Sequence, residues 1–272
     1  KSILSLSDSH NNEVLRKLFT YRFPDGNSMK GHTLGNLLMI AMTDILGSEI
    51  EAIEMFKTLF SVNGDVIPVT LDDVRLVAEY DDGSKVVGEH HIDEPKKHKE
   101  IVKFYLDSKA KATDRALEVV SKADYIILGP GDLYTTIIPN LLADGMKNAI
   151  RKSNAKCIYI ANLMSKIGQT RYKTHRDIVE ILEKYLGRDL DYVLVNNGNF
   201  PEEAYVRYLQ EGEHILEDDL GDGCGRFVLR KDLVANEPIK KDKGDTLKRS
   251  LIRHDNGKLA KSLYEIFNSR RN

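Results

Sequence analysis

The sequence has 272 residues, of which 41% are hydrophobic, 30% are charged and only 7 are proline. This composition excludes a disordered chain, and the length allows one large domain or two small ones. The 40 lysines and arginines nearly balance the 42 aspartates and glutamates, so the net charge of −2 provides no field that would hold nucleic acid or an anionic membrane. We therefore expect small or neutral partners.

The first third of the sequence predicts two helices and a β-hairpin. Apolar residues at helical spacing indicate helices over residues 33–46 and 49–60, separated by a Gly-Ser pair. Alternating polar and apolar residues over 74–80, a turn of sequence DDGS and a returning strand over 85–89 predict the hairpin. We expect the hairpin to add antiparallel strands to the main sheet, within an inserted region that spans 62–107.

The rest of the sequence alternates strands with helices. The predicted elements are, in chain order, a polar loop over 94–100, a strand over 101–106, a helix over 113–122, a strand over 125–128, a helix over 139–150, a strand over 157–161, a helix over 174–186, strands over 192–195 and 227–230, an apolar stretch over 251–253 and a helix over 257–267. Unalternated apolar strands between helices are typical of a parallel sheet covered on both faces. The pattern predicts one Rossmann-like α/β domain over 1–272, because no Pro-, Gly- or Ser-rich linker divides it.

The two cysteines, Cys157 and Cys224, predict neither a disulfide framework nor a CxxC site. Cys157 lies in an apolar run and is predicted to be buried. Reduced cysteines favour the cytoplasm, and the sequence lacks the run of 18 apolar residues that would predict a membrane span. It also lacks an initiator Met, so we expect it to begin partway through a longer gene product.

A glycine-rich loop, GPGD at 129–132, follows the predicted strand over 125–128. Ligands of open α/β sheets bind beyond the carboxyl ends of the strands, and two glycines let a backbone approach an anion closely. The hydroxyls of Thr135 and Thr136 add donors. Two interpretations stay open at this point: a phosphate-binding loop, or a tight strand-to-helix turn.

Two further loops are predicted at the same edge of the sheet. The loop over 162–170 is longer than the usual connection of about 2–6 residues, which favours a functional role. After the next strand, Asn196 and Asn197 offer amides suited to a base, a ribose or a sugar hydroxyl. The alternative for these asparagines is an ordinary Asn-Gly turn.

The segment GHTLGN at 31–36 is a fourth candidate. Thr33 is predicted to cap the following helix, and His32 and Asn36 lie four positions apart, so both can reach one ligand. The alternative for His32 is a residue near the helix cap that bonds to the backbone. The glycines of this segment, Gly35 among them, indicate close packing.

Several standard chemistries are disfavoured. The glycine loop lacks the GK[ST] of a P-loop and the third glycine of a dinucleotide fingerprint, so nucleotide hydrolysis and hydride transfer both lose support. His90 and His91 are predicted on a strand, pointing to opposite faces, and cannot share a metal. Two interpretations stay open for the Arg-His-Asp run at 253–255: its arginine contacts a phosphate, or the run is a surface turn.

The sequence contains, in order, the blocks GHTLGN, LLMIAMTDILGS, VIPVTLDDVRLVAEYDDGSKVVGE, ADYIILGPGDLYTTIIPNLLADGMKNAI, IANLMSKIGQT and DYVLVNNG. Together they resemble the YvcK/CofD family over about residues 4–198, and IRHD at 252–255 is a weaker match. The family fold is Rossmann-like. One branch, CofD, transfers a phospholactyl-type group from a guanylated donor to a deazaflavin with Mg²⁺. The other, the YvcK or gluconeogenesis factor branch, binds UDP-N-acetylglucosamine in the cytoplasm and is linked to cell shape and growth on gluconeogenic carbon sources.

The GPGDLYTTIIPNLL and NLMSKIGQT blocks are more similar to the YvcK branch. With the loops above, this resemblance implies the following ligand-binding residues: His32, Thr33, Gly35, Asn36, Gly129, Pro130, Gly131, Asp132, Thr135, Thr136, Asn162, Leu163, Gln169, Thr170, Asn196, Asn197 and Arg253. The family pattern begins with a GGGTG turn and an Asp-Asp-Gly-Gly segment, and this sequence starts after both. We therefore expect part of the nucleotide site and the acidic residues for Mg²⁺ to be absent from it.

The sequence thus predicts a cytoplasmic regulator that binds a nucleotide sugar, with no catalytic residues, no metal site and no required cofactor. The expected partners are a UDP-sugar and an unidentified protein, and a homodimer is possible. The alternative is a CofD-like 2-phospho-L-lactate transferase that uses Mg²⁺. It requires a pair of carboxylates for the metal, and Asp132 is the one candidate near the loops.

Overall fold

The computed structural model describes residues 2–7, 13–23, 32–93, 99–221, 226–236 and 252–269. Contacts divide them into two compact units: one holds the described residues up to Pro68, and the other holds those from Val69 onward. Two compact units can belong to one domain, so the prediction of a single domain with an insertion at 62–107 stays a prediction. Cys224, Gly31 and most of the polar loop at 94–100 lie outside the described residues.

The first unit is helical. Its helices are α1 (Ser2–Ser5), α2 (Glu13–Thr20), α3 (Leu34–Leu46) and α4 (Glu49–Leu59), of which α3 and α4 were predicted. Thr33 caps α3 as expected, because its hydroxyl accepts the Asn36 N–H, and Gly47 ends the helix with a φ of 69°. The rings of Phe19 and Phe60 pack edge to face, with centroids 4.5 Å apart.

The predicted hairpin belongs to a separate antiparallel sheet in the second unit. Strands β1 (Leu76–Tyr80), β2 (Lys85–Val87) and β3 (Ile101–Leu106) lie in the order β2-β1-β3, so the hairpin pairs with β3 and does not extend the parallel sheet. Gly88 ends β2 with a φ of 97°, and the short helix α5 (Glu89–Asp93) follows. His90 and His91 lie in α5, which corrects their prediction as strand residues.

The second sheet confirms the Rossmann-like expectation. Strands β4 (Tyr125–Leu128), β5 (Lys156–Ile160), β6 (Tyr192–Asn196) and β7 (Phe227–Lys231) are all parallel and lie in the order β4-β5-β6-β7. The two central strands are the most deeply buried, and Cys157 on β5 is buried as predicted. The carboxyl ends of all four strands therefore meet at one edge of the sheet.

Besides α5, the described helices of this unit are α6 (Asp114–Lys122), a π-helix (Leu133–Ile137), α7 (Pro139–Leu142), α8 (Met146–Lys152), α9 (His175–Leu186), α10 (Glu202–Gln210) and α11 (Asn256–Asn268). The single helix predicted over 139–150 is wrong, because Ala143 is extended and Gly145 has a φ of 98°, which separates α7 from α8. A capping box at Thr174 and Asp177 starts α9. None of the described helices is long and apolar enough to cross a membrane.

Candidate functional site

The predicted loops meet at the carboxyl edge of the parallel sheet. The GPGD loop follows β4, the 162–170 loop follows β5, and Asn197 follows β6. The first two loops are joined directly, because the Asn162 side-chain amide donates to the Gly131 carbonyl over 2.8 Å. The third is tied to the segment after β7, where the Leu233 N–H donates to Asn196 Oδ1 over 2.9 Å.

The GPGD loop presents free backbone donors. Within the described part of the chain, the N–H groups of Gly129, Gly131 and Asp132 have no hydrogen-bond partner. Gly129 is exposed, and a Cβ placed on it would meet no atom within 4 Å. The loop leads directly into the π-helix, a rare geometry that is frequent at functional sites. Unpaired N–H groups on an open loop form a cradle suited to an anion.

A buried polar cluster holds the loops in place. Asp93 at the end of α5 accepts hydrogen bonds from the Thr135 hydroxyl and from Gln169 Nε2, both at 2.7 Å. Gln169 Oε1 accepts the Tyr134 N–H at 2.8 Å. Thr135 and Gln169 are 7% and 5% exposed, so their side chains are largely enclosed and support the loops from the interior.

Lys166 links two carboxylates in this cluster. Its ammonium forms an ion pair with Asp132 and lies 3.6 Å from Asp93 Oδ1. The Lys166 side chain is about one-third exposed, so the charged group is within reach of a ligand at the loop. Neither Lys166 nor Asp93 was predicted individually, and Asp93 is supplied by α5, which precedes the parallel sheet in the chain.

Several residues that were predicted to bind the ligand instead make contacts within the protein. Leu163 is buried in an apolar cluster with Tyr208 and Ile252. Thr170, which is 1% exposed, accepts the Lys166 N–H through its hydroxyl at 3.0 Å. Asn196 uses both ends of its amide on the backbone, since it accepts from and donates to Gly198 at 3.1 and 2.9 Å.

Other predicted residues remain open to solvent at this edge. The set with exposed side chains or backbone consists of Gly129, Pro130, Thr136, Asn197 and Arg253. Arg253 is brought there because its segment pairs with the chain after β7: the Ala235 N–H donates to the Arg253 carbonyl over 2.9 Å. A guanidinium in this position is suited to a phosphate or carboxylate.

Two histidines with a buried ring nitrogen flank the end of β5: His175 is buried and His254 is half-buried. His175 Nε2 lies 3.2 Å from the Asn162 carbonyl, and burial lowers the pKa of its imidazole. Burial also lowers the pKa of His254 to about 4, although a hydrogen bond to the Ala161 backbone acts in the opposite direction. Both rings are therefore neutral at pH 7, and each keeps one buried nitrogen with no partner among the described residues.

The four candidates from the GHTLGN segment lie in the first compact unit. Thr33 caps α3, and Gly35 packs against α2, where an added Cβ would lie 2.8 Å from the Phe19 carbonyl oxygen. His32 and Asn36 are exposed. Their predicted place beside the loops of the second unit stays a prediction.

A shallow groove lies beside residues 168–173. Gln169 of the 162–170 loop lines it together with Glu100, Arg171, Tyr172 and Lys173. Arg171 lies over the Tyr172 ring, 5.5 Å from its centroid, and Lys173 pairs with Glu100 at 2.6 Å. The groove contains none of the free loop donors.

The fold and its loops define a Rossmann-like α/β protein with polar loops clustered at one edge of a parallel sheet. The family profile described as "2-phospho-L-lactate transferase CofD" matches residues 1–234. The chain belongs to this CofD/UPF0052 family, which confirms the resemblance found in the sequence.

Several proteins with similar sequences are named as gluconeogenesis factors. A "Putative gluconeogenesis factor" of Thermotoga maritima is 42% identical over 254 residues, which cover 93% of this chain and 78% of that protein. The "Gluconeogenesis factor" of Bacillus subtilis is 34% identical over 257 residues, covering 93% and 77%. A solved structure of a UPF0052 family protein from Bacillus halodurans aligns with a TM-score of 0.84 and 29% identity, covering 96% of this chain and 80% of that one.

Proposed function

We propose that the protein binds UDP-N-acetylglucosamine at the carboxyl edge of the parallel sheet and acts as a regulator. The free N–H groups of Gly129, Gly131 and Asp132 carry this proposal, because fixed backbone dipoles stabilise a diphosphate without a dedicated side chain. The name shared by the Thermotoga and Bacillus relatives supports a role in carbon metabolism. The link to cell shape and the cytoplasmic location belong to the same proposal.

The charges around the loop suit a partly neutralised anion. Lys166 supplies a cation beside Asp132, and Arg253 supplies a second cation on the same edge. The Asp132 carboxylate is neutralised by its ion pair, so its repulsion of a phosphate is reduced. No cofactor is required for this mode of binding.

In this proposal, the side chains that contact the base and the sugar are those exposed to solvent. Asn197 and Thr136 have side chains open to solvent, whereas the amides of Asn162 and Asn196 are already bonded to the backbone. We therefore reassign the contacts with uracil or N-acetylglucosamine from Asn162 and Asn196 to Asn197 and Thr136. Binding of the nucleotide sugar changes the interaction with a protein partner, which thereby responds to the level of the sugar. A second copy of this chain, in a homodimer, is one candidate for that partner.

One observation favours the transferase as a second candidate. Asp93 joins Asp132 at Lys166, which supplies the second carboxylate that a Mg²⁺ site requires. The ammonium of Lys166 interacts with both carboxylates, so a metal would compete with it for this position. Under the transferase alternative, Asp93→Asn and Asp132→Asn both abolish Mg²⁺-dependent transfer to a deazaflavin; under the regulator they leave UDP-sugar binding largely intact.

Calorimetric titration tests the proposal. The protein is titrated with UDP-N-acetylglucosamine and, separately, with GDP, alongside Gly129→Val and Gly221→Val. Neither glycine has a neighbour within 4 Å of an added Cβ and neither has a positive φ, so both variants are expected to fold. We expect saturable binding of the UDP-sugar, a loss of roughly tenfold or more for Gly129→Val (about 1.4 kcal/mol) and no loss for Gly221→Val.

Other outcomes separate the alternatives. A preference for GDP would favour the transferase. If the protein binds neither nucleotide, a scaffold protein with a vestigial pocket is favoured. Equal affinities of Gly129→Val and Gly221→Val would show that the GPGD loop does not approach the ligand.

A further inference from the structure

We infer that Asn162 is a positioning residue that sets the direction of the Asp132 N–H. It acts through the Gly131 carbonyl and is itself held by Tyr159 and His175. The functional meaning of this inference rests on the proposed anion role of the GPGD loop. The structural claim, that one side chain orients one peptide group, is testable without any ligand.

Every polar group of Asn162 is used within the protein. Its side-chain Nδ2 donates to the Gly131 carbonyl at 2.8 Å, and its Oδ1 accepts the Tyr159 hydroxyl at 3.2 Å. Its backbone N–H lies 3.4 Å from the same hydroxyl oxygen, and its carbonyl lies 3.2 Å from His175 Nε2. The bonds of this amide to Gly131 and Tyr159 fix its orientation, which suits a positioning role.

The peptide between Gly131 and Asp132 links the hydrogen bond from Asn162 to the orientation of the Asp132 N–H. In a planar trans peptide the carbonyl oxygen and the following N–H point to opposite sides, and the described residues contain no cis peptide. Because Asn162 holds the Gly131 carbonyl, the Asp132 N–H points away from Asn162. This N–H is one of the three free donors of the loop.

The loop needs such a restraint because glycine gives it freedom. Gly131 has no Cβ to limit its ψ, so the peptide can tilt about the Gly131 Cα–C bond at small steric cost. A full flip is excluded, because it would carry the φ of Asp132 from −63° to a positive value that a residue with a Cβ rarely adopts. A tilt changes the direction of the Asp132 N–H, and the hydrogen bond from Asn162 opposes this tilt.

The residues that hold Asn162 are buried and neutral. Tyr159 is fully buried and His175 is 4% exposed. Burial raises the pKa of the Tyr159 hydroxyl and lowers the pKa of the His175 imidazole, so at pH 7 the first is a donor and the second carries one ring proton. The contact with a carbonyl assigns that proton to Nε2, which leaves the partnerless Nδ1 as a bare acceptor.

The test follows the Asp132 amide by ¹H–¹⁵N NMR and hydrogen exchange in the whole protein, with Asn162→Ala and Asn140→Ala. Asn140 is the matched control, because its Nδ2 also donates to a backbone carbonyl, that of Thr136, over 2.8 Å. We expect Asn162→Ala to move the Asp132 resonance and change its exchange rate at least fivefold, while Asn140→Ala does neither. Affinity for inorganic pyrophosphate is expected to fall roughly tenfold in Asn162→Ala alone.

A second variant covers the case in which Asn162→Ala does not fold. Tyr159→Phe removes one hydroxyl from the support of Asn162 and is expected to move the same Asp132 resonance by a smaller amount. An Asp132 amide unchanged in both folded variants overturns the inference, whatever the binding data show. An altered amide in a protein that binds neither pyrophosphate nor UDP-N-acetylglucosamine supports the inference and refutes the proposed function.

Discussion

His254 shows how burial at the site affects stability. Its ring sits beside the end of β5 with one nitrogen unpartnered, and its pKa is about 4, well below the value near 6.5 expected in the unfolded chain. As the pH falls from about 6.5 to about 4, the unfolded chain takes up a proton that the folded ring does not. Stability is therefore complete above pH 6.5 and is lost on acidification.

We predict that this loss is roughly 3 kcal/mol of unfolding free energy between pH 7.5 and pH 4. It is measured by urea unfolding at several pH values. His254→Asn is expected to flatten the profile by about that amount. Parallel profiles for His254→Asn and the wild type would show that His254 titrates normally in the folded protein.

Single residues were predicted well where a local rule applies and poorly where the partner is distant. Thr33 caps α3 and Cys157 is buried, since both depend on neighbours in sequence. The contacts of Asn162 and Lys166 depend on groups 31 and 34 residues away. A sequence shows how many hydrogen bonds an amide can make, but only the packed loops show whether a ligand or the backbone receives them.

At the scale of elements, Gly35 fixes how α3 packs on α2. An alanine Cβ there would lie 2.8 Å from the Phe19 carbonyl oxygen and 3.2 Å from its ring, so the two helices would have to separate. Alanine also favours a helix over glycine by up to about 1 kcal/mol, but a clash with backbone outweighs this gain.

We predict that Gly35→Ala lowers the unfolding free energy by about 1–2 kcal/mol, measured by urea unfolding. Gly257→Ala is the matched control, because Gly257 is also the second residue of a 13-residue helix and meets only the Asp255 side chain, at 3.3 Å. This control is expected to change stability little. A stabilised Gly35→Ala would show that α2 and α3 can move apart without cost.

Elements with strong periodicity were predicted nearly to the residue. Strands β4, β5 and β6 and helix α9 lie within one residue of their predicted ends, because each contains a continuous apolar run or stripe bounded by polar or glycine residues. Helix α10 was missed because only Ala204 and Tyr208 are buried along it. The break between α7 and α8 depends on the backbone dihedral angles of Ala143 and Gly145, and the spacing of apolar residues gives no information about these angles.

At the scale of the molecule, the order of the parallel strands carries the functional argument. Because β4, β5, β6 and β7 are sequential neighbours, three loops that are far apart in sequence share one edge. The sequence predicted this edge and its loops. It could not predict Asp93, which α5 delivers from outside the sheet, and the relation of His32 and Asn36 to this edge stays a prediction.

The most direct test of the central claim is the NMR footprint of UDP-N-acetylglucosamine on the backbone amides. The account predicts that saturating ligand moves the amides of Gly129, Gly131, Asp132 and Asn197. Changes confined to the groove around Arg171 and Tyr172, or no changes at all, would contradict the claim that the carboxyl edge of the sheet is the ligand site.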